Sequence, residues 1–439
     1  MKYLLRAISA LIALVTLGRW KYSRPVEGNA LSMNLGEKAW WGYKFYGHPI
    51  LRPEKNKGIR EHFISHLPTD FAGEKLEEGE ISNKLVISFA GDVLPLYDAR
   101  EETTAHLFDE VADFLFSADI RYANLESPVA EAFPLSPVSE DITKPPELNN
   151  SPKAVALYTR DKGGFTIFST ANNHALDQGE EGLHSTLDFL DERGIAHVGT
   201  ARSPQERDDF PLLEREGIKV AFLSWTFGLN GKTLPAGREY LANELRLNLP
   251  NIDISPIAQQ AQQARERGAD MVIACLHWGL ETECYPVAHQ IQTGKAIIEA
   301  GVDIIVGNHP HMLQPAQRHS YKDAAGTQRE GLILYALGDL LDEFPQLGYS
   351  ALAALARVEL ARTIGGEVLI RSAEFLPTYA YRQPAKKGPF TDIRILDFDK
   401  LAQRLQEEDF TSEPVLSPFH VKSATKLLGL RAELLPPSR

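Results

Sequence analysis

From Lys84 onward, short apolar runs alternate with stretches whose apolar residues recur at helical spacing. This is the signature of a chain built from strand–helix–strand units, and it predicts an α/β fold. Leu85 to Ala90, Ile120 to Leu125 and Phe165 to Ser169 read as the first three strands. Phe108, Val111, Ala112 and Leu115 recur at the spacing of a helix between the first two. Leu183, Leu187 and Leu190 mark another helix, stopped by Gly194. Val220 to Trp225 reads as a strand. Ile257 to Arg267 reads as a helix closed by Gly268, followed by the strand Met271 to Leu276. A helix from Gly294 to Ala300 ends at Gly301. Asp303 to Val306 and Leu332 to Leu337 complete the alternating part. Ala354 to Leu360 and Glu367 to Phe375 then read as paired strands around Gly365-Gly366, covering or extending the sheet.

The flanks have a different texture. Residues 25–83 read as a peripheral N-terminal extension. It has an aromatic part (Trp40, Trp41, Tyr43, Phe45, Tyr46) and an acidic linker from Glu74 to Glu80. Residues 84–382 form the expected main domain. Residues 383–439 are a polar, mixed C-terminal extension whose last residues, Pro436 to Arg439, read as disordered. At the start, Lys2 and Arg6 precede the apolar stretch Ala7 to Gly18, shorter than the roughly 18 residues of a clear membrane span. Arg19, Lys21 and Arg24 follow directly, without an A-x-A cleavage pattern. Residues 1–24 therefore read either as a membrane-associating or signal-like segment or as an ordinary helix. A membrane-associated place in the cell envelope is the favoured expectation, with the cytoplasm as the alternative.

Composition narrows the chemistry. The 439 residues are 43% apolar and 24% charged, which is ordinary for a chain with a real core. The net charge of −13 argues against nucleic acid as a partner. Of the two cysteines, Cys275 lies in an apolar run and reads as core. No CxxC pair exists, which excludes a thiolate zinc site and makes a disulfide framework unexpected.

Polar residues gather where the strands end: Gly91-Asp92, Asn124-Leu125-Glu126-Ser127-Pro128, Ala171-Asn172-Asn173-His174 with Asp177, His277-Trp278-Gly279, and Gly307-Asn308-His309-Pro310-His311. Each fragment alone has an ordinary explanation. An aspartate after a strand caps a turn, a histidine in an apolar run is a hydrogen-bonded core residue, and a paired asparagine starts a helix. Five fragments at successive strand ends are harder to explain that way, because the carboxyl ends of parallel strands line the ligand crevice of an α/β sheet. Asp92, Glu126, Asn173, His277, His309 and His311 offer oxygen and nitrogen without sulfur. That set suits one or two divalent metals such as Mn, Fe or Zn. The glycines at 91, 279 and 307 allow tight turns beside a crowded site.

Together with Ala336-Leu337-Gly338-Asp339, Pro315 and Pro377-Thr378-Tyr379, these fragments resemble the ordered motifs of the CapA family of poly-γ-glutamate capsule biosynthesis proteins. That family is related in fold to the calcineurin-like metallophosphoesterases. The resemblance spans roughly Lys84 to Tyr381. It implies a layered sandwich of mixed sheets flanked by helices. It also implies that Asp92 and His311 bind a first metal, that Glu126 bridges, and that Asn173, His277 and His309 bind a second. His174 resembles a non-ligand catalytic histidine, with Asp177 either orienting it or simply starting a helix.

The departures are informative. Leu94 stands where phosphoesterases usually place a histidine, Glu126 is one carbon longer than the usual aspartate, and Asp339 stands where the capsule family more often has asparagine. The leading expectation is a metal-dependent hydrolase acting, through a metal-activated water, on a phosphoester or a glutamyl polymer. The alternatives are a non-catalytic envelope accessory protein that binds or exports an anionic polymer, and a metal-dependent peptide epimerase. Membrane-bound capsule-synthesis proteins are the expected partners.

Overall fold

The computed structural model describes residues 19–28, 33–96, 99–136, 147–159, 163–342, 348–384 and 390–436. The apolar stretch Ala7 to Gly18 and the last three residues lie outside these ranges. Among the described residues, no helix is long and apolar enough to cross a membrane.

The strands in chain order are β1 (Ile81–Val93), β2 (Ile120–Leu125), β3 (Ile167–Ser169), β4 (Ala196–Val198), β5 (Leu212–Arg215), β6 (Ile218–Thr226) and β7 (Met271–His277). They continue with β8 (Ile304–Asn308), β9 (Ala316–Lys322), β10 (Gln328–Leu334), β11 (Asp339–Leu341), β12 (Leu352–Thr363), β13 (Val368–Pro384) and β14 (Phe390–Asp397). Among the described residues they form two mixed sheets. The first has the order β14-β13-β12-β1-β2-β3-β4 with β11 also beside β1, and the second has the order β5-β6-β7-β8-β10-β9. The parallel pairs β1–β2, β2–β3, β6–β7 and β7–β8 lie centrally; β4 closes one edge of the first sheet in parallel with β3, and antiparallel strands close the other edge of that sheet and both edges of the second.

Period-two alternation on the first sheet buries both of its faces. Ile87, Phe89, Ile120, Tyr122 and Ile167 point into the core shared with Phe222, Ile273 and Ile305 of the second sheet. Ala90, Ala123, Leu125 and Phe168 point the other way, against Val155, Phe189 and Leu190 of the helices Pro152–Thr159 and Gly179–Asp191. Helices Ser255–Glu266 and Ala288–Glu299 contribute Ile257, Ala261, Ile297 and Ile298 to the second sheet's core. The result is the layered sandwich of mixed sheets flanked by helices. Full burial of a residue such as Phe89 or Phe222 contributes about 1.5–3 kcal/mol, so the shared layer is the main source of cohesion between the sheets. Polar ties cross it too: Tyr122 donates to Asn308 at 3.2 Å, and the Ser169 and Ser224 hydroxyls meet at 2.7 Å.

Local boundaries shift from the sequence reading. The apolar periodicity at Phe108 to Leu115 becomes turns followed by a short helix, Ala112–Phe116. β1 is longer than the apolar run, so Asp92 lies inside the strand instead of beyond it. β12 and β13 do pair antiparallel, and they continue the first sheet. The flanks are joined to the core. Ile59, Phe63 and Phe71 ahead of β1, and Leu401, Ala424 and Leu427 near the C-terminus, all belong to the shared apolar cluster.

Candidate metal centre

A β-bulge aims the first carboxylate. Phe89 pairs with Tyr122 and Asp92 with Asn124, so three steps on β1 oppose two on β2. The extra residue reverses the alternation. Asp92 therefore shares the face of Phe89 and Asn124, toward the second sheet. Gly91 is required here by close approach, since a Cβ at this position would stand 1.8 Å from the Gly338 carbonyl oxygen. Gly307 is required for the same reason, 1.9 Å from the Tyr335 carbonyl, whereas Gly279 adopts φ +90°.

The strand ends form two facing rows. Asp339, Asp92 and Asn124 are in register across β11, β1 and β2. Thr226, His277 and Asn308 are in register across β6, β7 and β8. Asn124 Nδ2 donates to Asp92 Oδ1 at 2.7 Å and lies 3.3 Å from His277 Nδ1, which links the rows. The His309 backbone N–H donates to Asp92 Oδ2 at 3.1 Å. His309 and His311 both have positive φ, 97° and 54°. That is strained backbone for residues with a side chain, and it persists only where the surroundings enforce it. The Thr282 N–H helps by donating to the intervening Pro310 carbonyl at 2.8 Å.

All six sequence-predicted ligands converge. Donor atoms of Glu126, His309 and His311 lie within 4.8 Å of one another, as do those of Asp92, Glu126 and His277 and those of Asp92, His311 and Asp339. Asn173 Oδ1 lies 2.8 Å from His277 Nε2. Leu94, by contrast, is a buried apolar residue whose N–H donates to the Leu341 carbonyl. Beside Asp92, a carboxylate of Asp339 occupies the neighbouring position.

The electrostatics call for a cation. Glu126 is fully buried, and neither carboxylate oxygen has a hydrogen-bond partner. Asp339 Oδ2, Asn124 Oδ1 and His309 Nδ1 are likewise buried and unpartnered. An unpaired buried ion costs several kcal/mol, so such groups need an explanation. Burial, together with the Asp92 charge, pushes Glu126 well above the usual carboxylate range. Burial also lifts Asp92 to about 6, against the opposing pull of His311. Burial holds His277 and His309 well below the ordinary imidazole value, and so neutral and available as ligands. His311 is driven well upward although burial opposes its charge, because Asp339, Glu126 and Asp92 outweigh that penalty. The donor set of carboxylates, imidazoles and one amide fits one or two divalent ions of the Mn, Fe or Zn type.

His174 stands beside this set without joining a ligand cluster. Its Nδ1 lies 2.6 Å from Asp177 Oδ2, and the same oxygen accepts from the Leu148 N–H at 2.6 Å. A doubly accepting oxygen favours the tautomer in which Nδ1 donates and Nε2 is left free. Asp177 thus holds the His174 ring by a hydrogen bond.

Several neighbours went unread in the sequence. Phe227 packs its ring 4.4 Å from that of His309 and 6.3 Å from that of His277. Asn230 contacts Asn173 and His174. Both follow β6, a strand whose parallel neighbour ends in His277, so its own carboxyl end was the available signal. The N-terminal helix Leu35–Tyr46 also reaches the site. Trp40, Trp41 and Lys44 line a cleft with Leu280, Glu281 and His309.

The family model described as bacterial capsule synthesis protein PGA_cap matches residues 86–343. The capsule biosynthesis protein CapA of Bacillus anthracis is 26% identical over 264 residues, covering 59% of this chain and 60% of that protein. The PGA biosynthesis protein CapA of Bacillus subtilis is 28% identical over 262 residues, covering 58% and 63%. The chain thus spans somewhat under two thirds of the length of these curated relatives. A solved structure from Staphylococcus aureus, assigned as a 5′-nucleotidase, is 15% identical with a TM-score of 0.38, covering 74% of this chain and 58% of that one.

Proposed function

The chain belongs to the bacterial capsule synthesis PGA_cap family, and on that premise we propose that it is a metal-dependent hydrolase of capsule-polymer biosynthesis. The substrate class is a phosphoester or a glutamyl polymer of the poly-γ-glutamate type. The observation that carries this reading is the fully buried carboxylate of Glu126, which accepts no hydrogen bond and is set among His277, His309 and His311.

Asn173, His277, His309 and Glu126 would hold one ion, and Asp92, His311 and Asp339, with Glu126 between, the other. Such ions supply Lewis acidity, activating water and offsetting charge on the attacked centre. The rest falls to the chain. Phe227 covers the histidine rings and keeps water from their outer side. Asp177 holds the His174 Nδ1–H, which leaves Nε2 free to take up a proton and pass it to the leaving group. Asn124 joins Asp92 and His277 and fixes the separation of the two rows.

The test is a metal analysis joined to turnover assays on phosphoesters and on poly-γ-glutamate. The reading expects one to two Mn, Fe or Zn ions per chain and hydrolysis of one substrate class. A His277→Ala/His309→Ala variant should lose the metal, and retention there would sink the site assignment. Metal uptake with no turnover of either class would favour an accessory protein that holds an anionic polymer.

A further inference from the structure

The loop after β6 crosses the metal centre and is pinned to it. The Phe227 N–H donates to the His277 carbonyl at 2.9 Å. Lys232 Nζ donates to the Leu176 and Asp177 carbonyls at 3.1 and 2.8 Å, on the turn that carries His174. Between these anchors Asn230 takes φ 51°, a left-handed conformation that asparagine tolerates well. Its Oδ1 accepts from Asn173 Nδ2 at 3.2 Å. Its Nδ2 lies 3.4 Å from both ring nitrogens of His174. It is thus in contact with the imidazole at equal distance from its two nitrogens.

We propose that Asn230 is a positioning residue of this centre, holding the Asn173 carboxamide with its oxygen toward His277 and the metal and bracing the His174 ring. The inference rests on the metal-centre reading above. Its physical basis is the two-sided chemistry of an amide. Only Oδ1 of Asn173 can ligate, and a 180° turn about its last bond would present an NH2 group instead. A residue that accepts from Asn173 Nδ2 locks the ligating orientation before any ion arrives. Outer-shell acceptors of this kind are worth about 10- to 100-fold in metal affinity.

The backbone permits a clean test. Asn230→Gly removes the side chain at a left-handed position where glycine is unstrained. Asn230→Asp keeps an acceptor and has no donor, so it still requires the Asn173 NH2 to face it. Mn(II) binding, measured by EPR of free ion and by calorimetry, should weaken about 10- to 100-fold in Asn230→Gly. The thermal midpoint of the metal-free protein should be unchanged. Asn230→Asp should retain the affinity lost by the glycine variant. Mn(II) binding by Asn230→Gly as tight as that of the wild type overturns the inference, as does equal loss in both variants. Failure of the wild type to bind Mn, Fe or Zn at all overturns the metal reading itself, a different result from the first two.

Discussion

Asp339 stands in register with Asp92 across the parallel β1–β11 pairing, and its Oδ1 lies 2.8 Å from His311 Nδ1. The position beside Asp92 left without a histidine, because Leu94 is apolar, thus has a carboxylate. Asp339→Asn keeps the size and removes the charge. It should weaken or abolish binding of one of two ions, read as a drop in metal stoichiometry by elemental analysis. In metal-free protein the same change should lower the His311 pKa, read by NMR titration, since Asp339 is the foremost group raising it. An unchanged stoichiometry would show that the Asp339 carboxylate holds no ion.

Metal uptake should depend on pH in a stated direction. Asp92 titrates at about 6 and Glu126 well above its usual range, so both carry protons in acid. Binding a cation requires the ionised forms. Affinity should therefore fall as pH drops through about 6, and binding near that pH should release protons. Calorimetry in two buffers of different ionisation heat measures the release. The linkage for the metal-free fold has the opposite sign. A carboxyl raised above its unfolded value contributes stability that is present at low pH and lost as pH rises through the folded value. For Asp92 that loss spans about pH 4 to 6. A metal-free protein whose Mn(II) affinity is flat from pH 5 to 8 would contradict this account.

Asp177 and His174 should separate orientation from binding. Neither lies among the clusters that could hold a metal. His174→Ala should keep its metal and lose turnover. Asp177→Asn can still accept from the Leu148 N–H, but it weakens the hold on the Nδ1–H tautomer. Its turnover should fall by about 10- to 1000-fold, within the range for a positioned acid or base, with metal content unchanged. Loss of metal in either variant would mean that the turn serves the ligands and not the leaving group.

Lys44 should prove structural. Its Nζ is 2.6 Å from Glu283, and both side chains are almost fully buried, at 2% and 0% exposure. Glu283 lies in the loop whose Thr282 supports the His309-Pro310-His311 turn, and Ile50 pairs with the same loop through Thr282 and Cys284. Removing one partner of a buried pair costs about 3–5 kcal/mol. Urea denaturation of Lys44→Ala should show a loss of that size, and Lys44→Met with Glu283→Gln should recover much of it. A single variant as stable as the wild type would refute the role.

Most of the candidate metal centre could be read along the chain because its signals are local. An apolar run of strand length that stops at Asp, Glu, Asn or His announces a strand end and its polar cargo together. That much placed Asp92, Glu126, Asn173, His277, His309 and His311 at one crevice, and motif order gave the family. Asn230 and Phe227 were silent because nothing in Phe-Gly-Leu-Asn-Gly is chemically unusual; their importance comes from the neighbour on which they fold. The aromatic stretch around Trp40 showed only that it must pack somewhere.

What tertiary structure alone decided were the relations between distant segments. Alternation along β1 would turn Asp92 away from Phe89; the bulge at Ala90-Gly91, visible only in the pairing with β2, turns it back toward the site. Nothing local distinguishes strands of the first sheet from strands of the second, yet the site exists because Asn124 of one faces His277 of the other. Asp339 acquires its meaning from a register set across some 250 residues of chain. Period and punctuation are properties of neighbours in sequence, whereas register, bulge phase and sheet membership are set by which strands find each other. The sequence thus determined the parts of this centre, and packing decided how they face.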